Sequence, residues 1–394
     1  MNKNAKKIFF TIEDYEPQLW SCLNCYCGLC IAECPAYIEL KNYSVTPRGL
    51  SQIGLSILTG EIGLSDLSDE IVYSCTGCRW CEWECSQNML PIIKNEGTRL
   101  TRVSGATITE MFRCMKVETG DIPPQVRDAL RNIAKYGNPL GGSKNSKDNW
   151  VDSLKLNKDV DTILYVSSLV PYESRATQMA EAIIRVLKKG IDFAMIGSQE
   201  MDSGAFPLMM GEEGLFLEIM ENNLKTFQKA GIKQIICVSP HDYDVLVNHY
   251  RNMEDIKVRH YSEVLWEIIK TGKIKFNKKI GKKITYQDPC YLGRKLNIYD
   301  DPRRILQNIP GTEFVEIKKN REKAFCCGGG GTGLFLDLPK VRINHTRADQ
   351  IKEMRVDCVA VACPICLQML DDALKSLGCK IEVKDLAQLV EEAI

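Results

Sequence analysis

The sequence predicts a two-part chain: an α-helical, cysteine-rich N-terminal domain, then a duplicated α/β module with mostly parallel sheets. Three observations predict it. Nine cysteines fall in two tight runs before residue 90. Strand-like and helix-like segments alternate after residue 160, the pattern of parallel sheets covered on both faces. Two short motifs recur in that later half at one fixed spacing.

The first region, 1–117, carries cysteines at 22–34 and 75–85. Between them, Leu50, Ile53, Leu55, Ile57, Leu58, Ile62 and Leu64 read as short helices interrupted by Gly54, Gly60 and Gly63. From 118 to 159 the composition shifts to Pro123-Pro124, Gly137-Asn138-Pro139 and Gly141-Gly142-Ser143, which is turn and linker chemistry. A domain boundary is expected there. Thr162–Val166 reads as a buried strand and Ala176–Lys189 as a helix stopped by Gly190. Ile191–Ile196, Gln234–Val238, Ile284–Tyr286, Phe314–Ile317 and Cys358–Ala362 read as further strands.

The recurrence lies in this half. Asp202-Ser203-Gly204 precedes Cys326-Cys327-Gly328, and Ser239-Pro240-His241-Asp242 precedes Cys363-Pro364-Ile365-Cys366, both by 124 residues. One offset at two separated places implies duplication, with modules at 160–275 and 280–394. The second copy keeps its thiols. The first has Asp202, Ser203, Ser239 and Asp242 in their place.

Composition removes several function classes. Of the 394 residues, 51 are basic and 51 acidic. Zero net charge argues against a nucleic-acid binder, which needs a basic excess to displace counterions, and against a polybasic membrane-surface protein. No stretch of about 18 apolar residues predicts a transmembrane helix. The apolar stretch ending at Ile12 is too short for a secretory leader, so the expected location is cytoplasmic. Eighteen cysteines in so long a chain suit metal binding better than a disulfide scaffold.

Cys75-x2-Cys78-x2-Cys81-x3-Cys85 is the spacing of a cubane [4Fe–4S] loop, whose fourth cysteine ligates the other cluster of a pair. Such a run usually ends in Cys-Pro, and here Ser86 follows. Zinc is the competing reading, but zinc sites usually pair two Cys-x2-Cys units across a long loop. The partner run holds Cys22, Cys25, Cys27, Cys30 and Cys34-Pro35, one cysteine more than the pattern needs. Deleting Cys25-Tyr26 or Tyr26-Cys27 restores it, so either Cys25 or Cys27 completes the set. The crossover rule assigns Cys22, one of Cys25/Cys27, Cys30 and Cys85 to one cubane, and Cys75, Cys78, Cys81 and Cys34 to the other.

A third constellation links Cys290, Cys326-Cys327 and Cys363-x2-Cys366, with 35 residues between successive groups. Each group sits at or just after an expected strand end, where open α/β sheets bind ligands. Gly328-Gly329-Gly330-Gly331 follows the adjacent pair and permits positive φ and close approach of amides to sulfur, Gly328 and Gly329 being nearest. Cys114, Cys237, Cys358 and Cys379 read as isolated or buried thiols. His241 and Arg294 read as ordinary core, surface or salt-bridge residues, with proton donation and anion steering as their functional alternatives.

This pattern resembles the cysteine-rich (CCG) module of the heterodisulfide reductase family. Asp288-Pro289-Cys290-Tyr291-Leu292-Gly293-Arg294 and Cys326-Cys327-Gly328-Gly329-Gly330-Gly331 are similar to that family's segments. Gln287 and Tyr291 stand where many members carry histidine. With the N-terminal two-cluster ferredoxin-like domain, the resemblance spans nearly the whole chain. The same domain order occurs in iron–sulfur subunits of glycolate, lactate and glycerol-3-phosphate dehydrogenases.

The resemblance implies a noncubane [4Fe–4S] cluster on Cys290, Cys326, Cys327, Cys363 and Cys366, acting on a disulfide beside two electron-carrying cubanes. No Gly-x-Gly-x-x-Gly follows a strand, so a flavin or nicotinamide is expected on a partner: a flavoprotein, or a membrane cytochrome or quinone-linked subunit. Such a partner would hold the chain at the inner face of the membrane. The alternative is a pure electron-transfer subunit of a flavin-dependent 2-hydroxy-acid or glycerol-3-phosphate dehydrogenase.

Overall fold

The computed structural model describes residues 11–86, 102–154, 156 and 160–394. The chain divides into two compact units. One comprises Met1–Val126, Pro207–Glu213 and Gly330–Ile343; the other comprises Arg127–Phe206, Gly214–Gly329 and Asn344–Ile394. The first unit is therefore not one continuous stretch: two later excursions of the chain return to it.

The first unit is helical. Its helices are α1 (Glu16–Cys25), α2 (Pro35–Leu40), α3 (Pro47–Leu58), α4 (Asp69–Tyr73), α5 (Trp80–Glu84) and α6 (Gly105–Thr119). α1, α2 and α3 have proline in their first turn, where the missing N–H costs nothing. Thr46 caps α3 by accepting from Gly49 N, and Ser104 caps α6 by accepting from Thr107 N. Short helices suit this unit because several begin or end at a cysteine loop: α1 ends at Cys25, α2 starts after Cys34, and α5 ends before Cys85. Leu19, Leu50, Val72, Ile108 and Phe112 form its core.

The segment whose composition reads as linker carries two helices, α7 (Pro124–Tyr136) and α8 (Lys144–Ser153). Its proline and glycines punctuate these helices. Asn138 braces the turn between them, its side chain bonding Tyr136 O, Gly142 O and Gly142 N.

The second unit holds two parallel sheets. β1 (Thr162–Tyr165), β2 (Gln234–Cys237) and β3 (Lys257–His260) lie in the order β1-β2-β3. β4 (Lys283–Tyr286), β5 (Glu313–Phe314), β6 (Cys358–Val361) and β7 (Glu382–Asp385) lie in the order β5-β4-β6-β7. Their connections run through α9 (Ser174–Leu187), α10 (Ala205–Met210), α11 (Glu213–Lys229), α12 (Pro240–Asn248) and α13 (Tyr261–Lys270) in the first module. In the second they run through α14 (Asp300–Asn308), α15 (Ile343–Glu353), α16 (Pro364–Ser376) and α17 (Leu386–Glu392).

The duplication is visible element by element. β2 and α12 start at residues 234 and 240, β6 and α16 at 358 and 364, the same offset as the motifs. Ser239 and Cys363 occupy equivalent N-cap positions. Two strand expectations are corrected and two strands are added. Ile191–Ile196 contributes only an isolated bridge, Ile163 to Ala194, between Gly190 and the left-handed Gly197. β5 keeps one residue of the expected Phe314–Ile317, Phe314, and adds Glu313 before it. β3 and β7 escape the hydrophobic pattern because they are edge strands with charged sequences, Lys-Val-Arg-His and Glu-Val-Lys-Asp. Where the modules meet, the Tyr261 hydroxyl donates to buried Asp385, and Arg175 pairs with Asp371 and Asp372.

Candidate metal centres

In the first unit the nine thiols line two cavities. Cys34, Cys75, Cys78 and Cys81 line one of about 370 Å³. Cys22, Cys25, Cys27, Cys30 and Cys85 line the other, about 350 Å³, with Cys81 at its edge. Local folding explains the grouping. The Cys22 and Cys75 loops each wrap a short run of backbone, while Cys34 and Cys85 sit three or more residues beyond, where the chain turns into a helix or leaves one.

Two non-glycine residues in the left-handed region shape these loops, beside Gly28 and Gly77: Tyr26 between Cys25 and Cys27, and Arg79 between Cys78 and Cys81. Arg79 is held there by Glu82, Thr107 and a bond to both oxygens of Glu110. Arg48 donates to the carbonyls of Cys22 (2.9 Å) and Leu23 (3.0 Å), and Arg113 donates to that of Cys75 (2.6 Å).

Burial dominates the thiol acidities. It pushes Cys34 up to about 12 and raises Cys22, Cys30, Cys75 and Cys81. As free thiols these side chains hold their protons; cluster binding must displace them. Cys25 is raised by burial, whereas Cys27, despite some burial, is lowered by hydrogen bonds from Ser86 and the Leu29 amide.

In the second unit Cys326, Cys327, Cys363 and Cys366 are gathered in one buried place. Cys366 Sγ donates to Cys327 Sγ at 3.3 Å, and Gly328 N donates to Cys326 Sγ at 3.3 Å. Hydrogen bonds from Cys326 and Cys366, assisted by the Gly329 amide, hold the Cys327 thiol well below its ordinary range. Burial alone would raise Cys363, but bonds from Cys366 and His241 bring it down to about 6. Cys366, hydrogen-bonded to Cys327 and Cys363, is pushed up. Cys290 is also buried and opens a π-type turn, Tyr291–Lys295, whose Tyr291 ring stacks on His241 at 4.0 Å between centroids. His241 Nδ1 in turn lies 3.9 Å from Cys363 Sγ.

The four glycines divide their work. Gly328, at φ +90°, and Gly329 serve the thiols beside them. Gly330 and Gly331 belong to the first unit, where they pack against the Thr76 and Cys75 carbonyls.

The equivalent place in the first module is closed by oxygens. Ser168 Oγ donates to Asp202, Ser203 Oγ donates to Asp242 Oδ1 (2.5 Å), and Gly204 N donates to Asp202 Oδ1 (2.7 Å). Burial lifts Asp202 to about 6 and raises Asp242 strongly.

Three residues here take their contacts only from the fold. His241 belongs to α12 of the thiol-free module yet meets Tyr291 and Cys363 of the other. Arg294 donates to the carbonyls of Glu322 and Ala324 and so braces the turn that leads into Cys326. Arg347 is fully buried and donates to Gln287 Oε1 (2.6 Å). The 124-residue offset points toward His241 and the Asp288–Arg294 segment toward Arg294; nothing in the sequence marks Arg347.

Comparison with known proteins agrees with this architecture. Residues 18–89 match a 4Fe-4S dicluster domain and residues 284–371 a cysteine-rich domain, CCG. The chain is thus an iron–sulfur protein that joins a dicluster domain to a CCG domain. Its homologues include heterodisulfide reductase subunits and FadF-like iron–sulfur oxidoreductases.

The chain is 29% identical to a subunit of the dihydromethanophenazine:CoB–CoM heterodisulfide reductase of Methanosarcina barkeri, over 93% of this chain and 92% of that protein. It is 31% identical to the EtfAB:quinone oxidoreductase of Syntrophomonas wolfei and 30% identical to the "Probable iron-sulfur-binding oxidoreductase FadF" of Bacillus subtilis. In both cases 83% of this chain is covered but only 47% of the relative, so the chain spans about half the length of those two. Among the described residues no helix is long and apolar enough to cross a membrane.

The residues present fit iron–sulfur clusters. Two thiol-lined cavities and one buried thiol group are the donor chemistry such clusters need. A second sign is charge. Arg113 and Arg347 are buried guanidiniums, and among the described residues neither is bonded to a carboxylate. A thiolate-bound cluster is anionic and would supply a counter-charge to Arg113; on Arg347 the Asp288 charge acts as well.

Proposed function

We propose that this iron–sulfur oxidoreductase subunit passes electrons through two cubane [4Fe–4S] clusters to a noncubane [4Fe–4S] cluster, where a disulfide is reduced or formed. Cys22, Cys27 or Cys25, Cys30 and Cys85 hold one cubane; Cys34, Cys75, Cys78 and Cys81 hold the other. Cys290, Cys326, Cys327, Cys363 and Cys366 hold the third cluster. The observation that carries this reading is the contrast between the modules: sulfur gathered with two low-lying thiols in one, oxygens bonded to one another at the matching positions in the other.

The clusters supply one-electron chemistry. The chain's own residues prepare the place for it. The Gly328 and Gly329 amides stabilise sulfur charge, Arg347 adds a buried positive charge beside it, and Arg294 and Arg303 anchor the flanking turns. Arg303 does so through a bidentate bond to Asp288 at 2.7 and 2.8 Å. A flavoprotein or quinone-linked partner exchanges electrons with the cubanes, and the chain works in the cytoplasm or at the membrane's inner face through that partner.

A second reading, an electron-transfer subunit without disulfide chemistry, is favoured by the likeness to a quinone oxidoreductase. Iron and sulfide analysis of the anaerobically purified chain tests the cluster count. Three clusters require about twelve irons. About eight would remove the third cluster and leave the electron-transfer reading standing.

A further inference from the structure

Among the described residues, five lysine or arginine side chains are almost wholly buried: Arg113, Lys116, Lys147, Arg303 and Arg347. Three of them have carboxylates: Lys116 pairs with Asp121, Lys147 with Glu200, and Arg303 with Asp288 and Glu316. Arg113 and Arg347 bond no carboxylate, although the Asp288 charge acts on Arg347, and these are the two that stand beside groups of thiols.

Arg113, on α6, is 1% exposed. Its three nitrogens reach three carbonyls from three parts of the chain: Nε to Val72 at 3.0 Å, Nη1 to Met209 at 2.9 Å, and Nη2 to Cys75 at 2.6 Å. Both excursions of the later chain close on it. A Cβ on Gly211 would lie 2.5 Å from the Arg113 carbonyl carbon, and one on Gly331 would lie 3.0 Å from Nη1 and 2.5 Å from the Cys75 carbonyl oxygen.

Carbonyl dipoles satisfy the N–H groups, but they do not neutralise the charge. A buried ion without a counter-ion is strongly destabilising. An anionic group must therefore sit next to the Cys75 loop in the working protein. The cavity lined by Cys34, Cys75, Cys78 and Cys81 is the place for it.

Arg48 is the counterpart at the other cavity, bonding Cys22 O and Leu23 O. Its side chain is only partly buried and lies over the exposed Tyr26 ring, 4.8 Å from the centroid. A charge near water is screened far more than one in the interior. The two arginines therefore act unequally on the two sites.

We propose that Arg113 is the positioning and potential-setting residue of the Cys34/Cys75/Cys78/Cys81 cluster, raising its potential above that of the Cys22/Cys30/Cys85 cluster so that electrons run from the second of these to the first. The inference rests on the cubane assignment proposed above. It follows from charge: the reduced cluster carries one more negative charge than the oxidised one, and net charge is among the factors that set cluster potentials. The step is a one-electron transfer, oxidising the cluster near Arg48 and reducing the cluster near Arg113.

The test is an anaerobic EPR redox titration of the full, cluster-loaded chain, in wild type and in Arg113→Gln, Arg113→Lys and Arg48→Gln. Arg113→Gln keeps its iron, and the reduction equilibrium of one cubane falls by about tenfold, which is a 59 mV negative shift for one electron. Arg113→Lys keeps the charge and holds that equilibrium within about threefold of wild type. Arg48→Gln moves the other cubane, and by less. If Arg113→Gln loses that cubane while Arg113→Lys keeps it at near wild-type potential, the counter-ion role stands. Three results overturn the inference: Arg113→Gln with full iron and no shift, equal shifts in Gln and Lys variants, or loss of the cluster in both. Failure of the underlying cubane assignment is seen separately, in the wild type, as the absence of two cubane signals.

Discussion

Gly330→Ala isolates the role of the glycine run that follows the paired cysteines. Gly330 has no need of a left-handed backbone; it is glycine because of space. A methyl group there would overlap the Thr76 carbonyl oxygen, with the Thr76 carbonyl carbon at 3.4 Å. Backbone on both sides leaves nothing to rotate away. Overpacking against a rigid partner costs about 1–3 kcal/mol, so we expect about 2 kcal/mol here. For a unit of roughly 150 residues that lowers Tm by about 4–8 °C.

The displaced partner is the main chain between Cys75 and Cys78, so the cost falls on the loop of the Cys34/Cys75/Cys78/Cys81 cubane. Anaerobic urea titration of the loaded protein, followed by cluster absorbance, reads both effects. Gly63→Ala is the control: its Cβ would meet nothing closer than 3.5 Å, and its expected cost is under about 0.5 kcal/mol. A Gly330→Ala protein as stable as Gly63→Ala, with both cubanes intact, would refute the close-packing argument.

Other predictions concern single side chains. Cys27→Ala removes the first cubane and Cys25→Ala retains it, because Cys27 bonds Ser86 beside Cys85 while Cys25 donates to the Cys22 carbonyl; iron content and EPR of each variant decide between the two. Asp202 has a folded pKa of about 6 against 3.8 for the free group, raised by burial and eased by Ser168, the Gly204 amide and Lys147. The fold therefore binds this proton more tightly than the unfolded chain, and its stabilising contribution is complete below about pH 4 and lost as pH rises toward 6, by up to roughly 3 kcal/mol. In Asp202→Asn that loss disappears from the pH dependence of unfolding; an unchanged slope contradicts the assignment. Tyr261→Phe leaves buried Asp385 without its hydroxyl donor and lowers the second unit's stability by about 1–3 kcal/mol, measured by denaturation.

What is legible in the sequence follows a physical divide. A cluster loop is local: four ligands within a few residues must recur at fixed spacing, so Cys75, Cys78, Cys81 and Cys85 announce themselves. The duplication is legible because strand–helix units repeat with their caps, Ser239 standing where Cys363 later stands. Long-range packing leaves no such mark. Arg113 looks like any helix residue, and only the fold brings Val72, Cys75 and Met209 around it. β3 and β7 escape notice because edge strands carry charge as a defence against further pairing. In sequence Gly330 and Gly331 look like servants of sulfur, but space against another backbone is what they provide.

The central claim is that the thiols of the second module form the site of disulfide chemistry. An anaerobic EPR redox titration with and without a disulfide substrate, run on wild type and Cys327→Ala, addresses it most directly. Cys327 takes hydrogen bonds from Cys326 and Cys366 and sits at the centre of that thiol group. A disulfide-dependent signal is expected in the wild type, lost in Cys327→Ala while both cubanes remain reducible. A disulfide-dependent signal that survives in Cys327→Ala contradicts the claim.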